Sequence, residues 1–249
     1  MTTRQRGRTI PLSVPRRIIT DLMRFAADVP SVPVQRRMNL AAVIAARQQS
    51  PKRCSWSAIF AKAYAMVAQE YPELRRTYFG FPRQRLFEYP HSVASIAIEI
   101  TYHGERAIFP CVIADPASLP LAAISEKISE AVQFPDQIAY YRRFVRLAHL
   151  PSFIRLVASS VIFNMPVFRA TRFGTFALSS VANLGADILH PLTAWPTLLT
   201  YGPLSADGSA DVRIIFDHRV MDAATIARAL ARLEEILNRP IVEELQGAA

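Results

Sequence analysis

The sequence predicts an α/β fold in which helices cover a mixed β-sheet. Three observations predict it. Segments of β-branched, strand-like composition share the chain with segments of helical periodicity; strands come in runs of two before a helix, without strict alternation; and 51% of the 249 residues are hydrophobic, enough for one large core. No repeat is visible, and the 18 prolines are spread along the chain without marking a linker. The expected organisation is a basic N-terminal arm over residues 1–14 and one domain over residues 15–249.

Residues 16–27 read as an amphipathic helix, with Ile18, Ile19, Leu22, Met23 and Phe25 on one side and Pro15 suited to the first turn. An extended piece at 32–38 and an Ala-rich helix at 40–47 follow. Residues 55–69 form the clearest helix, capped by Ser55 or Ser57 and stopped by Pro72. Residues 93–102 and 106–114 are rich in Ile, Val and Ala around His103-Gly104-Glu105, which predicts a hairpin. A helix over 118–132 starts from Ser118 as N-cap. Strands are expected at 173–181, 198–201 and 212–216, and a last helix at 223–237 carries Ile226, Leu230, Leu233 and Leu237 inward.

The basic excess, 29 Lys+Arg against 20 Asp+Glu, favours anionic partners. The arginines are scattered with no reading module among them, so nucleic acid is not the expected partner. The first residues lack the apolar stretch of a secretory signal, and Cys54 and Cys111, without metal spacing, read as buried thiols in a reducing cytoplasm. No metal site is expected. There is no Gly-x-Ser-x-Gly elbow, no phosphate-binding glycine loop and no paired His, which argues against a serine hydrolase, a nucleoside triphosphatase and a zinc enzyme.

Residues 140–172 are basic and apolar at once. The longest uncharged piece, 156–168, is too short to span a bilayer and contains Asn164 and Pro166. The segment reads as a core helix or an oligomer contact. It also reads as an interfacial helix at the inner membrane surface, since Arg142, Arg143, Arg146 and Arg155 stand beside Phe144, Leu147, Phe153 and Leu156.

The chemistry concentrates near the C-terminus, where Ile214-Ile215-Phe216-Asp217-His218-Arg219-Val220-Met221-Asp222-Ala223 runs from a buried strand through a turn into a helix. Histidine, with an ordinary pKa of about 6.5, is mostly neutral yet basic at cellular pH, so His218 is the candidate general base. His91, His103, His149 and His190 read as surface or turn residues.

The stretch Asp217-His218-Arg219-Val220-Met221-Asp222 resembles the Asp-His-Arg-x-x-Asp-Gly signature of dihydrolipoyl acyltransferases, the catalytic cores of 2-oxoacid dehydrogenase complexes, whose fold chloramphenicol acetyltransferases share. Three further segments, in the family's order, are similar to it: the opening Arg16-Arg17-Ile18-Ile19-Thr20-Asp21-Leu22-Met23, the helix closing on Tyr71-Pro72-Glu73-Leu74, and Gly174-Thr175-Phe176-Ala177-Leu178-Ser179-Ser180. The resemblance implies a two-layer, chloramphenicol acetyltransferase-like sandwich and a coenzyme A-dependent acyltransferase, assembled as a homotrimer, with acyl-CoA as co-substrate. It implies His218 as base, Ser179 as oxyanion donor with Ser180 as the alternative, and Asp222 paired with Arg16 or Arg17. The family's lipoyl and subunit-binding domains are not expected here, and Ala223 stands where the signature has Gly. Since loops on a fixed scaffold set substrate choice, the 140–172 insertion points to a changed acceptor, an acyl or lipid-like one. A non-catalytic trimeric scaffold or lipid-binding relative is the competing reading.

Overall fold

The computed structural model describes residues 7–247. Of the expected arm, residues 1–6 lie outside these and residues 7–13 have no regular structure. Helix α1 (Val14–Ala27) starts where the Ser13 hydroxyl accepts the Arg16 N–H, with Pro15 in its first turn. Strand β1 (Ser31–Asn39) and helices α2 (Ala41–Gln49) and α3 (Trp56–Glu70) follow, α3 capped by Ser55. A small hairpin, β2 (Arg76–Phe79) with β3 (Arg85–Glu88), precedes the long pair β4 (Val93–Tyr102) and β5 (Glu105–Ala114). The β4–β5 turn places His103 and Gly104 at φ 47° and 80°, and consecutive left-handed residues match the twist of a two-residue hairpin.

The C-terminal half contains α4 (Leu121–Gln133), α5 (Ala139–Ala148), α6 (Ser152–Asn164), α7 (Pro166–Phe173), β6 (Phe176–Leu178), β7 (Thr197–Tyr201), β8 (Ser209–Asp217), α8 (Ala223–Asn238) and α9 (Pro240–Leu245). Among the described residues six strands form one sheet in the order β1-β8-β7-β6-β4-β5. β6 lies parallel to both β4 and β7, and the other pairs are antiparallel, so the sheet is mixed as expected.

On the inner face Ile96, Ile98, Phe176, Leu178, Leu199, Ile214 and Phe216 form one core with α3, α4 and α8. The outer face of the same strands carries Ser95, Ala97, Ala177, Ser179 and Leu198, with α1 and the α5–α7 group over it. On β4 and β6 the inner-facing residues are large and the outer-facing ones small, and they separate because successive residues of a strand point to opposite faces.

Three expectations need correction. The strand expected over 173–181 shrinks to β6, because α7 runs on to Phe173 and Gly174, at φ 86°, turns the chain into the sheet. Ser118 does not cap α4; its hydroxyl donates to the Asp115 carbonyl, and the free N–H of Leu121 is satisfied by Glu244 Oε1 at 2.7 Å. Residues 140–172 contain three helices, and only part of the segment faces outward. Arg155 is buried against Asp21, and Phe144 and Leu147 face inward beneath α1, while Phe153, Val157 and Val161 are exposed. No single described helix is long and apolar enough to cross a membrane.

Candidate active site

His218 is the first residue after β8. Its N–H donates to the Pro30 carbonyl, which continues the β1–β8 pairing by one position. The next turn is closed by Asp217, a buried carboxylate that accepts the Arg219 N–H and both Nε and Nη2 of the Arg219 side chain at 2.8–3.0 Å. Arg219 also lies over the Tyr78 ring at 4.5 Å. Asp217 holds the guanidinium above the usual arginine range. These two ends of the Asp-His-Arg triplet are the structural lock of the turn, a role the sequence alone does not assign to either. The available signal was an Asp whose carboxylate reaches a backbone N–H two residues on.

The lock leaves His218 with 51% of its side chain exposed. Nδ1 lies 3.1 Å from the Met221 carbonyl. A carbonyl only accepts, so Nδ1 carries the hydrogen and Nε2 keeps its lone pair. Asp222 Oδ1 sits 3.5 Å from the same Nδ1 and is 83% exposed. The expected pair between Asp222 and Arg16 or Arg17 is not formed within the chain: the Nε of Arg17 donates to the Leu12 carbonyl, and Asp222 lies beside His218. The acidic residue that does bind α1 to a buried arginine is Asp21, two hydrogen bonds from Arg155 at 2.7 and 3.3 Å. Ala223 opens α8 with an ordinary helical backbone, so that position does not need the glycine of the signature.

The two candidate serines are held differently. The Ser180 hydroxyl donates to the Tyr201 carbonyl at 2.7 Å and accepts the Ala182 N–H at 3.1 Å. The Ser179 hydroxyl has no partner among the described residues, and its side chain lines a cavity between sheet and helices. Ser179 is therefore the serine free to donate to something else.

Within one chain Ser179 and His218 do not meet. Extending the strand register, Ser179 is level with Thr200 of β7 and His218 with Trp195, two residues before β7 begins. Five residues of strand separate them by about 16 Å along the strand direction alone. They also occupy opposite faces, since the His218 ring packs edge-on against Phe216 of the inner core, whereas Ser179 shares the outer face with Ala177.

Both cysteines are free and buried, and burial pushes the Cys111 thiol up to about 11, away from nucleophilic use. Among the described residues no group of His, Cys, Asp and Glu could hold a metal ion.

No family model and no curated protein sequence matches the chain. Solved structures do. The cubic core of the pyruvate dehydrogenase multienzyme complex superposes with a TM-score of 0.69 at 17% identity, over 96% of this chain and 95% of that one. The fold is that of an acyltransferase core. Dihydrolipoamide acetyltransferase of Azotobacter vinelandii, studied for a serine, a histidine and an asparagine in its catalytic mechanism, gives 0.68 at 17% identity over 96% and 95% of the two chains. Chloramphenicol acetyltransferase gives 0.53 at 14% identity over 88% and 94%. The chloramphenicol acetyltransferase-like architecture expected from the motif is thus the one the chain has. In this acyltransferase-core fold the α5–α7 group lies over the outer face that carries Ser179.

Proposed function

We propose that the chain is a coenzyme A-dependent acyltransferase whose active site is completed between two copies, His218 from one and Ser179 from its neighbour, in a homotrimer. The observation that carries the reading is the His218 tautomer: Nδ1 is committed to the Met221 carbonyl, so the half-exposed ring presents a basic Nε2. A serine and a histidine in that order along the chain are also among the residues studied in the Azotobacter enzyme.

In this reading Nε2 removes the proton from a thiol or hydroxyl nucleophile as it attacks an acyl thioester carbonyl. The nucleophile–carbon bond forms, the carbonyl π pair moves to oxygen, and the Ser179 hydroxyl donates to that oxyanion. Collapse of the tetrahedral intermediate expels the thiolate, which takes the proton back from the imidazolium. Asp222 supports the imidazolium in between, and the basic surplus of the chain suits the phosphates of coenzyme A.

Mixing tests the reading directly. His218→Ala should lower turnover by about 10²–10⁴, and Ser179→Ala by about 10²–10³, with assembly retained in both. Co-expressed, the two variants should regain about a quarter of the sites, because a neighbour pair can again contribute one intact His and one intact Ser. Turnover indifferent to His218→Ala would remove His218 as the base, and a wild-type protein without turnover would leave only the scaffold reading.

A second reading concerns location. Phe153, Val157 and Val161, at helical spacing on α6, are 69%, 63% and 52% exposed, and Arg142, Arg143 and Arg146 are exposed on α5. This favours contact with an anionic membrane surface. Replacing the three arginines by Gln should weaken co-sedimentation with anionic vesicles, and unchanged sedimentation would dismiss the contact.

A further inference from the structure

The outer face of the sheet is floored by small side chains where the inner face carries large ones. On β4, Ile96 and Ile98 pack inward while Ser95 and Ala97 face outward; on β6, Phe176 and Leu178 pack inward while Ala177 faces outward, with Ser179 following. Helices α1, α5 and α6 bridge over this shallow floor with Leu22, Phe144 and Phe163 and do not fill it. A cavity of about 210 Å³ remains.

The cavity is partly open to solvent, so a ligand can enter it, and even a closed void of about 150 Å³ lined by Leu, Ile and Phe is large enough to bind benzene. The two charges in the wall, Asp21 and Arg155, satisfy each other and so recruit no ion. The remaining polar wall atoms include the hydroxyls of Ser95, Ser159 and Ser179, none of which has a hydrogen-bond partner among the described residues, and Ser179 is the one at the end of β6. We infer that the cavity binds an alkyl chain of the substrate, with the reacting carbonyl held at Ser179 and the tail running beneath α1, α5 and α6. The inference rests on the acyltransferase reading for the identity of that carbonyl, but the cavity and its binding can be tested apart from turnover.

Trp195 lines the cavity and Trp56 is the only other tryptophan, so Trp56→Phe makes Trp195 a single reporter. Saturated fatty acids from hexanoate to hexadecanoate should give a saturable change in Trp195 emission. Affinity should strengthen about fourfold per added methylene, the 0.8 kcal/mol of a buried CH₂, until the cavity is full. Ala97→Phe, which fills the floor, should shorten the longest chain that still gains affinity; Ser159→Phe does the same from the helix side if Ala97→Phe does not fold. A flat titration, or one without length dependence, in protein that keeps its thermal transition overturns the inference.

Turnover then separates this from the parent reading. His218→Ala should bind the fatty acids unchanged. Binding without any acyl-CoA turnover in the wild type would keep the cavity and remove the transferase, whereas equal kcat/KM for acetyl- and dodecanoyl-CoA with a flat titration would do the reverse. The source of the chain shows in which partner's length sets the rate. Dependence on the acyl-CoA series places the donor's tail in the cavity, and dependence on an alkanol series offered with acetyl-CoA places the acceptor's tail there.

Discussion

On β4, Ile96 is fully buried between sheet and helices, while one position further on Ala97 opens onto a cavity. The same contrast repeats at β6, where Phe176 stacks on Tyr64 of α3 at 4.2 Å and its neighbour Ala177 floors the void. The inner face is filled with large side chains, and His218 stands at its end, against Phe216 and just beyond β8. The outer face has small side chains, a free serine hydroxyl, an internal ion pair and space. Alternation along a strand lets one sheet do both: one side is packed tightly enough to hold the strands in register, and the other is then free to remain underfilled.

The sharpest break of this comparison is Ile96→Ala. β4 is paired on both sides, to β5 and β6, so its neighbours cannot move in to fill the gap, and the loss should fall toward the upper end of the usual range, about 4 kcal/mol. Urea denaturation measures it. A loss under about 1 kcal/mol would mean that the inner face is as loosely filled as the outer one.

Arg155→Met comes next. The Arg155–Asp21 pair, both side chains nearly buried, pins α6 over α1, and removing one partner leaves a carboxylate in an apolar wall. The expected loss is about 3 kcal/mol. Asp21→Leu combined with Arg155→Met should recover most of it, since replacing both ions with apolar groups of similar size is often neutral. If the double variant is no better than the single one, the pair is not what holds the helices.

How much of this was legible in the sequence follows the same division. The β4–β5 hairpin, the capped α3 and the end of β8 at His218 could be read because each is specified locally: by alternation, by a cap within three residues, by a turn. What failed depended on contacts far along the chain. The first donor of α4 is satisfied by Glu244, 123 residues away, so Ser118 offered a false cap. Arg155 belongs by composition to a lipid-facing set and is drawn inward only because Asp21 lies opposite it in space, 134 residues earlier. At the site, the motif put His218 in the turn, but its Nδ1 partner was not readable. Nor was it readable that the Tyr201 carbonyl engages the Ser180 hydroxyl, or that Asp222 lies beside His218 where Arg16 or Arg17 is expected. The cavity had a signature in hindsight, Ser-Ile-Ala-Ile on β4 and Phe-Ala-Leu-Ser at β6, but a small residue on a strand means space only once the covering helix is known to stand off.

The smallest expected effect is the most discriminating. Arg169 on α7 is buried like Arg155 but pairs with no carboxylate among the described residues: Asp217 is engaged by Arg219, and the guanidinium instead donates to the Ala194 carbonyl at 2.6 Å and lies 5.2 and 5.7 Å from the Phe163 and Phe79 rings. Burial pushes its pKa down to about 10, which marks an environment unfavourable to the charge. Methionine fills a similar volume and removes that penalty together with the carbonyl bond and the ring contacts, each worth about 1–2 kcal/mol. These terms oppose each other, so Arg169→Met should shift stability by less than about 1 kcal/mol, in either direction. A loss as large as that of Arg155→Met would show that a carbonyl and two aromatic faces can hold a buried cation as firmly as a carboxylate does. The two arginines would then be equivalent supports for the helices over the outer face.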